Sequence, residues 1–132
     1  MNRMRIAVPT QTQDGLASIR SEHFGHAELF TLVDISGNDI TGVQHIANMP
    51  HGNCMMPVKL LQDMQVNVLV VSGIGTTPLK GFVTAGISVF FAPKFPYQDV
   101  KSLVDGMMQQ EFSLMNPDQA CQGHGSCRVK SI

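Results

Sequence analysis

The chain has 132 residues, 14% of them charged and 43% hydrophobic, with a formal net charge of −1. That length fits one compact domain with a sizeable core. The near-neutral balance, without a basic run, argues against a nucleic-acid-binding stripe and a polybasic membrane anchor, and three Cys cannot complete a disulfide framework within one chain.

The opening segment MNRMRIAVPT has no apolar stretch of signal-peptide length, and no run approaches the roughly 18 apolar residues of a membrane span. The expected location is the cytoplasm, with thiols reduced. Met4 to Val8 reads as a short buried strand ended by Pro9. Glu28 to Ile35 and Ile40 to Ile46 alternate apolar and polar residues across the turn cluster Ser36-Gly37-Asn38-Asp39, a hairpin signal. Met56 to Met64 has helical spacing, with Pro57 in its first turn. Asn67 to Val71 is β-branched and apolar, a buried strand. Thr76-Thr77-Pro78 opens a second helix with a cap residue followed by proline, and Gly86 ends it. Ile87 to Phe91 is another buried strand, and Pro96 to Met108 a third helix with Val100, Leu103, Val104 and Met107 on its inner face. From Asn116 onward little can form a core, so residues 1–115 are predicted as a single α/β domain and 116–132 as a flexible tail carrying Cys and His.

The alternation of strands and helices after the hairpin predicts a mixed five-stranded sheet with three helices. Ligands in such sheets bind beyond the carboxyl ends of the parallel strands. Those ends are Pro9 to Gly15, which contains Thr10, then Ser72 to Thr76, and Ala92 to Pro96.

The five His, three Cys and nine Met are side chains able to ligate soft or borderline metals. Most Met read as core filler. Ser72-Gly73-Ile74-Gly75-Thr76-Thr77, between strand and helix, offers backbone amides and a helix N-terminus to an anion, and also fits an ordinary tight turn. It lacks the third Gly of a dinucleotide fingerprint and the Lys of a P-loop. His51-Gly52-Asn53-Cys54 places a thiol just before a helix, where the thiolate is favoured, with His51 spaced to share a metal; a buried, inert Cys54 is the alternative. Cys121-Gln122-Gly123-His124-Gly125-Ser126-Cys127 sets three ligands in seven residues, compatible with zinc, copper or an iron–sulfur fragment, or with an unengaged tail. Ser21-Glu22-His23-Phe24-Gly25-His26 carries two His that line a pocket, form a Glu22–His23 acid–base pair, or are simply solvated.

Taken in order, Met4-Arg5-Ile6-Ala7-Val8-Pro9, Ser21-x-His23-Phe24-Gly25-His26-Ala27-x-x-Phe30, Ser72-Gly73-Ile74-Gly75 and the Cys/His/Gly-rich end resemble the dinitrogenase iron–molybdenum cofactor biosynthesis family, over about Met4 to Met108. The resemblance implies a ribonuclease-H-like three-layer fold and a non-catalytic carrier or scaffold for an anionic metal–sulfur cluster. Some relatives, among them the orange protein, hold a molybdenum–copper sulfide cluster. Carried over, the resemblance covers His23, Phe24, Gly25, Gly73, Gly75 and Cys54; Thr76-Thr77-Pro78 departs from many relatives, and the tail motif occurs in only some. With the strand-end segments, this gives Thr10, Ser21, His23, Phe24, Gly25, Ser72, Gly73, Gly75 and Thr76 as candidate cluster-binding residues. His26, His51, Cys54, Cys121, His124 and Cys127 are the candidate metal ligands. The expected cofactor is a cluster of Mo, Fe or Cu with sulfide, with zinc as the alternative. The expected partners are that cluster and a protein that delivers or receives it, with no nucleic acid or membrane. Two rival readings are a thiol redox protein using Cys54 or the Cys121/Cys127 pair, and an adaptor with a structural zinc site. A ribonuclease-H-like nuclease is disfavoured, because Met4 to Val8 has no Asp or Glu to hold Mg²⁺.

Overall fold

The computed structural model describes residues 3–21, 24, 27–37, 39–47, 56–93, 97–109 and 113–114. In chain order it forms β1 (Arg3–Thr10), a 3-10 turn (Gly15–Ala17), β2 (Leu29–Ser36), β3 (Asp39–Ala47), α1 (Met56–Asp63), β4 (Val68–Val71), α2 (Thr76–Thr84), β5 (Ser88–Phe91), α3 (Val100–Met108) and β6 (Ser113–Leu114). The sheet order is β3-β2-β1-β4-β5-β6. β4 lies parallel to both β1 and β5, whereas β2, β3 and β6 are antiparallel to their neighbours. The predicted mixed five-stranded sheet with three helices is present. The two-residue β6 extends it at the β5 edge, too short a strand to leave a period-two pattern in sequence.

In β1, β2 and β4 the side chains alternate across the sheet and are largely buried on both faces. Ala7, Phe30, Leu32, Leu69, Val71 and Val89 pack with Val58 and Leu61 of α1 and Leu79 and Phe82 of α2. Ile6, Val8, Val33, Ile35, Val68 and Val70 pack on the other face with Val100, Leu103 and Val104 of α3. Two apolar faces explain why Ile6 to Val8 of β1 and the whole of β4 read as unbroken apolar runs. The result is a three-layer α/β domain of ribonuclease-H-like topology. Among the described residues no helix is long and apolar enough to cross a membrane.

Most boundaries shift by one residue from the sequence reading, and three differences have a visible cause. β1 continues through Pro9 to Thr10, because Pro9 falls where β1 has parted from β4, whose pairing ends at Ala7 and Leu69. A missing N–H there breaks no ladder bond. α2 takes Gly75, in extended backbone, as its N-cap, so Thr76 is already helical and Pro78 occupies the first turn. α3 starts at Val100 and not at Pro96. Ahead of it, Arg20 N–H donates to the Gln98 carbonyl (3.0 Å) and Val100 N–H to the Ser18 carbonyl (3.1 Å), which holds the chain extended until Asp99.

Asp99 then caps the helix, its carboxylate accepting from Ser102 N–H at 2.9 Å. That hydrogen bond is the main reason its carboxyl titrates below the usual range. A carboxylate with a lowered folded pKa stabilises above its unfolded pKa and loses that contribution as pH falls through the folded value. Asp99→Ala is therefore expected to lower stability by about 1 kcal/mol at pH 7. In urea titrations the gap between the two proteins should close as pH falls below about 4; a gap that persists undiminished at acid pH would contradict this assignment.

A polar chain, buried at Thr10 and Thr31 and half-buried at His45, crosses β1 to β3. Gly15 N–H donates to His45 Nε2 (3.0 Å), His45 Nδ1 meets Thr31 Oγ1 (2.9 Å), and Thr31 Oγ1 meets Thr10 Oγ1 (2.9 Å). Since Nε2 accepts, neutral His45 carries its proton on Nδ1 and donates to Thr31, which in turn donates to Thr10. The chain ties the 3-10 turn to the sheet. Thr31→Val removes a link and leaves the buried Thr10 hydroxyl without it, and chemical denaturation should show a loss of about 1–3 kcal/mol.

Candidate functional site

Beyond the carboxyl ends of β1, β4 and β5, residues 18–21 run back along the end of β1. Gln11 N–H donates to the Ile19 carbonyl (2.8 Å) and Ser21 N–H to the Pro9 carbonyl (3.0 Å). This short segment fills the gap left where β1 and β4 diverge, and its other edge pairs with Gln98 and Asp99. From there the chain reaches the β4–α2 turn. Ser72 Oγ donates to the Ser21 carbonyl (3.5 Å), and Phe24 N–H donates to the Gly73 carbonyl (3.0 Å). The Phe24 ring is only 4% exposed. It packs in the core against Phe30 (centroids 5.5 Å apart) and edge-on against Phe82 of α2 (5.4 Å). Phe24 is thus a hydrophobic peg that fixes the loop after β1 onto α2.

The structure therefore brings together Thr10, Ser21, Phe24, Ser72, Gly73, Gly75 and Thr76. Thr10 and Ser21 are buried. Gly75 has no need of glycine for its fold: its φ is −74°, and an added Cβ would meet Pro78 Cδ at 3.6 Å, an ordinary contact. Gly75 is half-buried and adds no side chain at the start of α2, where the helix presents the positive end of its dipole.

Sequence reasoning missed Arg20. It is 1% exposed, and its guanidinium reaches across to the end of β5. Nη1 donates to the carbonyls of Pro93 (3.0 Å) and Tyr97 (2.9 Å), and Nη2 to that of Ala92 (3.0 Å). Nε–H has no acceptor, and among the described residues no carboxylate pairs with the group. Desolvation pulls its pKa down to about 10, so it stays charged at neutral pH. A lone Arg in a polar loop carries no periodic or motif signal of burial, and no feature of the sequence marks it. At the opposite end of the sheet the charge is matched: Arg5 Nε and Nη2 clasp Asp34 (2.6 and 3.2 Å) and Nη1 donates to the Met64 carbonyl (2.6 Å). Hydrogen bonding to Asp34 raises the Arg5 pKa.

His23, Gly25, His26, His51, Cys54, Cys121, His124 and Cys127, and the 116–132 tail with them, lie outside the described residues. Among the described residues no three His, Cys, Asp or Glu gather to hold a metal ion.

The family described as dinitrogenase iron-molybdenum cofactor matches residues 4–110. An uncharacterised protein of Methanocaldococcus jannaschii is 28% identical over 112 residues, covering 81% of this chain and 91% of that protein. The apo form of the orange protein from Desulfovibrio gigas superposes with a TM-score of 0.72 at 20% identity, over 85% of this chain and 92% of that one. A second M. jannaschii protein, provisionally assigned as a dinitrogenase, gives 0.70 at 22% identity, over 88% and 98%. The likenesses to the two solved structures establish a shared fold.

Proposed function

We propose, since the chain belongs to the dinitrogenase iron–molybdenum cofactor family, that it is a non-catalytic binding or scaffold protein for an anionic metal–sulfur cluster. The cargo is an iron–molybdenum cofactor precursor or a molybdenum/copper-sulfide species, bound where the carboxyl ends of β1, β4 and β5 meet. The observation that supports this reading most is the meeting of two family-like segments, Ser21–Phe24 and Ser72–Gly75, from positions 51 residues apart, in hydrogen-bond contact beside a buried cation. Backbone amides at the start of α2 and the small Gly73 and Gly75 offer an anion shape and partial positive charge. Thr10, Ser21, His23, Phe24, Gly25, Ser72 and Thr76 frame the site in this proposal. His26, His51 and Cys54, with Cys121, His124 and Cys127 of the tail, are its proposed sulfur and nitrogen ligands. A delivering or receiving protein in the cytoplasm completes it.

The test is anaerobic incubation with tetrathiomolybdate, with and without copper(I) or iron(II), followed by desalting, elemental analysis and an absorption spectrum. Retained visible absorption with bound Mo and sulfide is expected. Gly75→Ala should weaken retention while shifting stability by less than about 1 kcal/mol, and Cys54→Ala and truncation after Asn116 should identify which thiols ligate. No colour and no metal under any condition would sink the proposal. A reversible Cys121–Cys127 disulfide without metal would favour the redox reading. One zinc per chain, with stability lost to chelator, would favour the adaptor.

A further inference from the structure

We infer that Arg20 is the charge-selecting residue of this site, setting through its field a preference for multiply charged anions. The inference rests on the cluster-binding reading above. Its basis is an electrostatic imbalance. The three carbonyls of Ala92, Pro93 and Tyr97 satisfy three N–H groups of the guanidinium but carry no net charge, and Nε–H is left without an acceptor. The carboxylate closest to these carbonyls along the chain is Asp99. It forms no ion pair with Arg20 and is turned to Ser102 N–H.

A cation held this way is costly, because the charged form is desolvated and no carboxylate among the described residues pairs with it. A fold that needed only a tie between residues 18–21 and the end of β5 has neutral alternatives, such as the side-chain amides of Gln or Asn. The position matters as well. Arg20 sits beside Ser21, whose carbonyl meets Ser72 at the β4–α2 turn, and its guanidinium lies on the carbonyls that close β5. The positive charge is thus fixed between two of the three strand ends at which this fold class places ligands. Water is largely excluded from the group, so salt screens its field less than that of a surface Lys.

Coulomb energy is linear in ligand charge, and that gives a readout which loss of packing would not produce. The probes are two tetrahedral tetrasulfido anions, the dianion tetrathiomolybdate and the monoanion tetrathiorhenate, titrated into the full chain at low ionic strength. The wild type should bind the dianion at least about threefold more tightly than the monoanion, the preference that this one charge supplies. Arg20→Met should weaken the dianion by about tenfold and the monoanion by only about threefold, the first factor being the square of the second. Arg20→Lys, which keeps the charge and gives up the fork, should retain the dianion preference. Equal losses for both anions in Arg20→Met, or loss of the preference in Arg20→Lys, would reduce Arg20 to a structural tie and overturn the inference. If Arg20→Met does not fold, the wild type and Arg20→Lys decide the matter, and equal wild-type affinities for the two anions would overturn it. Binding of neither anion by the wild type would bring down the cluster-binding reading itself.

Discussion

Phe82→Ala is expected to lower the unfolding free energy by about 3–5 kcal/mol, the usual range for truncating a fully buried Phe. Phe82 lies on the inner face of α2 with no exposed surface, and its ring is the edge partner of Phe24. The void would open between α2 and the sheet, and neither neighbour can collapse into it: α2 is held at its far end by Gly86, whose left-handed φ of 86° lets Ile87 N–H reach the Phe82 carbonyl (2.9 Å). The loss should extend beyond stability. With its peg undercut, the Phe24 amide that donates to Gly73 should exchange hydrogen faster than in the wild type. A double-mutant cycle with Phe24→Ala should give a coupling of about 0.5–1.5 kcal/mol. A loss under about 1 kcal/mol, or strictly additive single mutants, would mean that the rings do not couple.

Arg20→Met should destabilise by about 2–6 kcal/mol and lower Tm by roughly 10–20 °C. Two opposing effects set that figure. Three hydrogen bonds from a charged donor are lost, each worth about 1.5–3 kcal/mol. Relief of the desolvation that pulls the Arg20 pKa down to about 10 offsets on the order of 3 kcal/mol of this. The methionine fills the space but leaves the carbonyls of Ala92, Pro93 and Tyr97 facing apolar atoms. Arg20→Lys should recover part of the loss, since an ammonium can satisfy one or two of the three. Calorimetry on the three proteins checks the order wild type, Lys, Met; a Met variant as stable as the wild type would show that desolvation outweighs the hydrogen bonds.

Much of the architecture was legible because the sheet centre is buried on both faces. Ile6 to Val8 and Val68 to Val71 are apolar runs of strand length rich in β-branched residues, and Gly37 and Gly86 have positive φ where the hairpin was expected to turn and α2 to end. The start of α3 was not legible. Pro96 is a sound local signal, but it loses to a non-local one, the pairing of residues 97–99 with 18–20, which has no trace in a single sequence. The site shows the same division. The Ser72–Gly75 turn was found from its place between strand and helix, and the Ser21–Phe24 segment from its resemblance. Their contact was not found, and neither was the burial of Arg20, because both depend on chain segments more than 50 residues apart.

The central pairing of β1 has a kinetic consequence. On one side β1 meets β2 after a short excursion, Thr10 facing Leu29. On the other it meets β4 only after the hairpin and α1 have been made, and Arg5 N–H and Asn67 Oδ1 bond across a separation of 62 residues. Closing that long loop is the entropically slow event. The β1–β2–β3 meander can form early, whereas the β1–β4 seam must zip later. Residues 18–21 and the β4–α2 turn lie on the two sides of that seam, so the end of the sheet at which we propose the cluster binds is among the last parts of the molecule to be built. An anion that bridges the two sides would bind the native chain alone and slow its unfolding, and neither half of the chain by itself should capture it.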